Sequence, residues 1–154
     1  MGAFWVREPY ANLLSAGSHG TTFGGTPLAC AVALRVMEVI EREQLAQNVR
    51  TVGDYLKAEL LRLAQEFPGV IRTVRGLGFM LGIELASGIP AFSASEKAAS
   101  IQMVNRLHEA GLLVIPAGNN VLRLLPPYNL RQHEAEEGIS IIRAEATKLA
   151  AATK

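Results

Sequence analysis

The chain has 154 residues, 49% of them apolar, which suits one ordinary domain with a core of its own and argues against disorder. With 15 basic and 14 acidic side chains the formal charge is +1, so the basic excess of a nucleic-acid-binding surface is missing. No apolar run reaches membrane-spanning length, no signal-peptide pattern opens the chain, and the single cysteine, Cys30, makes neither a disulfide framework nor a thiol zinc site. The expectation is a cytoplasmic protein whose partners include neither membrane nor nucleic acid.

Phe4-Trp5-Val6 reads as part of a strand, with only three residues before it. The segment Ser18-His19-Gly20-Thr21-Thr22-Phe23-Gly24-Gly25-Thr26-Pro27 then packs three glycines and three threonines into ten residues. Glycine lets backbone N–H groups approach a ligand, and threonine hydroxyls add side-chain hydrogen bonds. Thr26 is placed to cap the following helix, with Pro27 at its first position. Two readings stand: a tight turn with a good cap, or a phosphate site at a helix N-terminus.

Leu28 to Arg42 is expected as a helix, apolar on nearly every side and hence buried on several faces, with another cover such as a partner chain needed for any face the rest of the chain does not supply. Leu45 to Phe67 is the clearest amphipathic helix, with Leu45, Val49, Val52, Leu56, Leu60, Leu63 and Phe67 as its core stripe. Pro68-Gly69 stops it. Strands follow over Val70 to Val74 and Phe79 to Leu85, interrupted by Gly76-Leu77-Gly78. A dinucleotide loop is excluded there, because no helix follows those glycines.

Ser93-x-x-Glu96 has the form of a capping box before a helix from about Ser95 to Ala110, with Ile101, Val104 and Leu107 inward and Gly111 as C-terminal cap. Leu112 to Ile115 and Val121 to Leu125 form a hairpin around Pro116-Ala117-Gly118-Asn119-Asn120, ended by Pro126-Pro127. The last helix runs from about Arg131 to Ala151, capped by Asn129, with Ala135, Ile139, Ile142, Ala146 and Leu149 as its stripe. The order of elements predicts an α+β fold: a loop-and-helix arm, then a mainly antiparallel sheet covered by helices, with the boundary near Gln44.

Arg123 stands among aliphatic neighbours in Val121-Leu122-Arg123-Leu124-Leu125, on the face shared by Val121 and Leu125. It is either an edge-strand arginine pointing into water or a guanidinium fork for a carboxylate. His19, His108 and His133 lack metal-ligand spacing, so no metal site is expected, and the latter two read as solvated helix residues. Cys30 reads as a small core residue, and Glu84 has no assignable partner.

The run Ser18 to Ala29 closely resembles the signature of class III pyridoxal-phosphate aminotransferases, in the acetylornithine and ornithine branch. Many members have Asn where this chain has Thr26, which caps a helix nearly as well. Two further segments, Arg75 to Leu85 and Val121 to Pro127, also look like that family. The resemblance implies that Thr22, with Thr21 beside it, bonds the phosphate of pyridoxal 5'-phosphate held by the other subunit of a homodimer. It implies that Arg123 binds the α-carboxylate of the amino-acid substrate. It gives the Arg75 to Leu85 segment a structural role.

The opening Gly2-Ala3-Phe4-Trp5-Val6 is similar to the stretch shortly after the family's Schiff-base lysine. None of Lys57, Lys97, Lys148 and Lys154 resembles that lysine's surroundings. The expectation is therefore a C-terminal part of the enzyme, about its last two-fifths. Residues 1–44 would close the large cofactor-binding domain and residues 45–154 would form the C-terminal small domain. The implied activity is transfer of an amino group from N-acetylornithine or a related ω-amine to 2-oxoglutarate, within arginine biosynthesis. The chain alone is expected neither to catalyse this nor to retain the cofactor, so it assigns no catalytic residue. The alternative is a non-catalytic module that binds a phosphate ligand or drives oligomerisation.

Overall fold

The computed structural model describes residues 2, 4–15 and 17–152. The chain divides into two compact units, Met1–Gln44 and Leu45–Lys154. Gln44, at the division, takes φ +54 without being glycine.

In the first unit Phe4-Trp5-Val6 is not a strand. Residues 4–7 are irregular and lead into a 3₁₀ turn, Glu8–Leu13, with Pro9 in its first turn. The described residues of this unit contain no second strand with which a ladder could form. Met1 and Ala3 of that opening lie outside the described residues. Helix α1 spans Pro27–Arg42 and begins as its sequence predicts, with Thr26 Oγ1 accepting the Ala29 N–H at 3.4 Å. In this chain by itself no residue of α1 is buried, and Leu28, Val32, Leu34, Val36 and Met37 are exposed, the apolar surface for which the sequence predicts a further cover. A unit this short has too little apolar surface to wrap a helix that is apolar all round.

The second unit carries the core. Helix α2 (Leu45–Glu66) buries Val52, Leu56, Leu60 and Leu63, as the three-and-four spacing requires. Strands β1 (Ile71–Leu77) and β2 (Met80–Leu85) form an antiparallel hairpin. After a 3₁₀ turn, Pro90–Phe92, come α3 (Ala99–Glu109), β3 (Ile115–Pro116), β4 (Val121–Leu124) and α4 (Gln132–Ala151). The sheet has the order β1-β2-β4-β3 and every pairing is antiparallel. Helix α2 packs on β1 and α4, and α3 packs on β3, β4 and α4. Val74, Ile83 and Leu122, paired in one row, and Leu81 and Leu124 in the next face the helices and are buried. The α+β architecture expected from the order of elements is the one observed.

Three local expectations give way. Ser93 is no helix cap: its hydroxyl donates to Pro90 O at 2.7 Å and closes the 3₁₀ turn, and α3 starts only at Ala99. The later start turns Ser100, Met103, Val104 and Leu107 inward and leaves Ile101 exposed. Asn129 does not cap α4; Glu134 reaches back and accepts the Arg131 N–H at 2.7 Å. His108 is not merely solvated, since its Nε2 lies 2.7 Å from Val114 O and 3.2 Å from Val114 N. That bond holds the backbone at Val114, and β3 is correspondingly short. Gly111, at φ +92, ends α3 as expected: Leu112 N–H reaches Leu107 O at 2.8 Å and Gly111 N–H reaches His108 O at 3.0 Å.

Ser100 ties α3 to the β3–β4 turn. Its hydroxyl donates to Gly118 O at 2.6 Å and its N–H to Asn119 O at 3.0 Å, with the side chain fully buried. Ser100→Ala removes one donor and leaves a carbonyl short of a partner. The expected loss is about 1–2 kcal/mol, read as a lower urea midpoint at unchanged m-value. A midpoint equal to the parent's would mean that this bond carries no net stability.

Candidate functional site

The first candidate lies wholly in the first unit. Residues 21–25 form bends and turns ahead of α1, anchored on one side by Ser18 Oγ donating to Ser15 O at 2.6 Å and on the other by Thr26 at the helix cap. Thr21 and Thr22 are both exposed, and neither side-chain hydroxyl is bonded within the described residues. The space a Cβ would occupy at Gly24 is filled by the Thr21 methyl. A larger residue there would make the exposed Thr21 side chain turn away. A cleft of about 500 Å³ is lined by Thr21, Phe23, Gly24, Gly25, Ala29 and Gly2. Thr22 is exposed and is not among the residues lining that cleft.

The second candidate lies wholly in the second unit, on the sheet face away from the helices. Arg123 is not on an edge strand: β4 sits between β2 and β3. Its side chain is exposed and meets no carboxylate among the described residues. Register pairs Arg123 with Gly82 on β2, and Gly82 with Arg75 on β1. One row across three strands therefore reads Arg75, Gly82, Arg123. The glycine leaves a floor between two long cations. Both arginines line a cleft of about 280 Å³ that Met80, Ala117 and Val121 complete. Glu84, on the neighbouring row, is already engaged by Arg72 at 3.0 Å.

Sequence reasoning found Arg123 and missed Arg75 and Gly82, because the row depends on register. The remaining groups serve structure. Lys57 Nζ donates to Gly76 O at 2.9 Å, and Lys148 pairs with the buried Glu145. Lys97 is exposed, and Lys154 lies outside the described residues. Cys30 is half-buried rather than core. No group of three or more His, Cys, Asp or Glu among the described residues could hold a metal ion, and no described helix is long and apolar enough to cross a membrane.

The family model described as aminotransferase class-III matches residues 1–145. Acetylornithine aminotransferase 1 of Bordetella bronchiseptica is 42% identical over 142 residues, 92% of this chain and 33% of the relative. Acetylornithine aminotransferase of Mesorhizobium japonicum is 38% identical over 150 residues, 97% of this chain and 35% of the relative. Among solved structures, the acetylornithine aminotransferase of Elizabethkingia anophelis superposes with a TM-score of 0.73 at 29% identity, covering 87% of this chain and 32% of that one. The ornithine delta-aminotransferase of Plasmodium falciparum does so with a TM-score of 0.75 at 25% identity, covering 90% and 33%. The lysine aminotransferase of M. tuberculosis gives a TM-score of 0.72 at 27% identity, covering 92% and 30%. The chain thus spans about a third of the length of the relatives it matches.

Proposed function

The chain belongs to the class-III aminotransferase family, and from that premise we propose that it is the C-terminal part of a pyridoxal-phosphate-dependent aminotransferase. Residues 1–44 close the large domain and residues 45–154 are the small domain. The observation that carries this reading is Arg123, an exposed guanidinium on an interior strand with no acid among the described residues to neutralise it. A planar fork of N–H donors matches a carboxylate in two parallel bonds, and here it is aimed off an open sheet face. Arg123 binds and orients the substrate's α-carboxylate.

Thr21 and Thr22 offer a phosphate two hydroxyls that are unbonded among the described residues, and the N-terminal end of the 16-residue α1 favours negative charge. Thr22 donates to the phosphate of the cofactor held by the partner subunit of a homodimer, and Thr21 supports it. When bound, pyridoxal phosphate supplies the electron sink for amino-group transfer. The names of the relatives, acetylornithine, ornithine and lysine aminotransferases, share an ω-amino acid as donor, and acetylornithine recurs among the curated ones. We assign N-acetylornithine or a related ω-amine as donor and 2-oxoglutarate as acceptor, in arginine biosynthesis.

No lysine of this chain takes the cofactor covalently in this reading, so the 154 residues alone do not turn over substrate. Incubation with pyridoxal phosphate, borohydride reduction and peptide mapping test this. The expected result is sparse labelling scattered over several lysines, with no consumption of glutamate. One stoichiometric adduct accompanied by turnover would overturn it.

A further inference from the structure

We propose that Arg75 is a second carboxylate-binding residue, which completes with Arg123 a two-guanidinium cradle for a dicarboxylate. The inference rests on the reading of Arg123 above and adds a residue that the resemblance leaves structural. Its basis is the cross-strand row Arg75–Gly82–Arg123 on the open face of the sheet.

Partners in a row project their side chains to the same side. Two strand spacings separate the arginines, on the order of 10 Å between backbones. Gly82 adds no side chain between them, and a Cβ placed there would lie 3.2 Å from Val121 Cγ1 and 3.9 Å from Arg75 Cγ. Arg75 and Arg123 are both exposed and line the same cleft of about 280 Å³.

Six other arginines make ion pairs with Glu38, Glu43, Glu59, Glu84, Glu145 and Glu66. Arg75 and Arg123, like Arg7, Arg50 and Arg131, make no ion pair among the described residues, and the nearest acid in register, Glu84, is held by Arg72. Two like charges on one apolar-floored cleft repel weakly at this separation and gain from a shared dianion. Each fork takes one carboxylate in bidentate fashion, so two separated forks select two linked carboxylates over one. A single phosphate offers one centre and gains less.

The test uses the 154-residue chain and side-chain Nε–Hε resonances of arginine by NMR, with glutarate, butyrate and inorganic phosphate as probes at low salt. Glutarate is expected to shift both Arg75 and Arg123 and to bind about fivefold tighter than butyrate, the scale of one exposed ion pair. Arg75→Gln should reduce the glutarate affinity to that of butyrate and leave butyrate at Arg123 unchanged. Arg75→Thr, a good strand former, serves as the second variant, and circular dichroism verifies the fold of each. Should the glutarate preference survive both variants, or glutarate shift Arg123 alone, Arg75 is no ligand while the role of Arg123 stands. A chain whose two arginines respond to neither carboxylate would overturn both readings. Phosphate binding as tight as glutarate would overturn the dicarboxylate assignment.

Discussion

Gly76→Ala is expected to destabilise the second unit by about 3 kcal/mol or more, a large fraction of the stability of an ordinary domain. Gly76 sits near the end of β1 at φ +132, a conformation that residues with a Cβ rarely adopt. Space forbids the change as well. A Cβ there would run into the carbonyl oxygen of Met80, and it would lie 2.9 Å from Leu81 Cα. These are backbone atoms of the paired strand, so no side chain can swing away. The carbonyl of Gly76 also accepts the Lys57 ammonium from α2, so a shifted strand would lose that tie too. Urea denaturation followed by far-ultraviolet circular dichroism measures the loss. A midpoint within error of the parent's would show that the hairpin can relax around a methyl group, contrary to the geometry.

Gly53→Ala has the second-largest expected effect, and here the sign carries the information. Gly53 lies inside α2, where alanine is ordinarily better than glycine by about 1 kcal/mol. Local propensity alone therefore predicts a more stable protein. The fold predicts the reverse. A Cβ at Gly53 would stand 2.8 Å from both C and O of Gly78, in the turn of the β1–β2 hairpin, and α2 packs along β1. Forcing the helix off the turn costs about 1–3 kcal/mol and exceeds the propensity gain. Net of that gain, the expected loss is up to about 2 kcal/mol, seen as a lower thermal midpoint. A raised midpoint would mean that the helix and the turn do not meet as closely as described.

Long periodic elements were legible from residues alone. The stripes of α2 and α4 appear in the structure position by position: Leu56, Leu60 and Leu63 in one, Ala135, Ile139, Ile142, Ala146 and Leu149 in the other. Many side chains repeat one signal there, and tertiary context has nothing to overturn. The ends of α3 and α4 were less legible, because several nearby groups can fill the same orphan donors. Ser93 was spent on Pro90 O, and Glu134 rather than Asn129 satisfied the start of α4.

The cleft on the open sheet face shows a different limit. Ile71 and Val74 are both buried although they are three residues apart in one strand. The register shift between Ile71 and Thr73 inserts one residue and reverses the alternation. That bulge sets which face Arg75 occupies, and a slip by one residue would put it on the other. Arg123 could be singled out as a charge among aliphatic residues, but its companion could be found only once three strands were aligned. The threonine loop was legible through its glycines and through the cap at Thr26, and so was the apolar surface of α1 that this chain leaves uncovered, although composition does not say which atoms supply its cover.

A hybrid in which residues 1–145 replace the matching third of the Bordetella bronchiseptica relative, crystallised with pyridoxal phosphate, tests the central claim most directly. The quantity to measure is the distance from Thr22 Oγ1 to the nearest phosphate oxygen across the subunit interface. Hydrogen-bond contact, about 2.7 Å to a cofactor held by the partner subunit, is the predicted result. A fully loaded, correctly assembled dimer in which Thr22 points to solvent and only its own subunit touches the phosphate would contradict it.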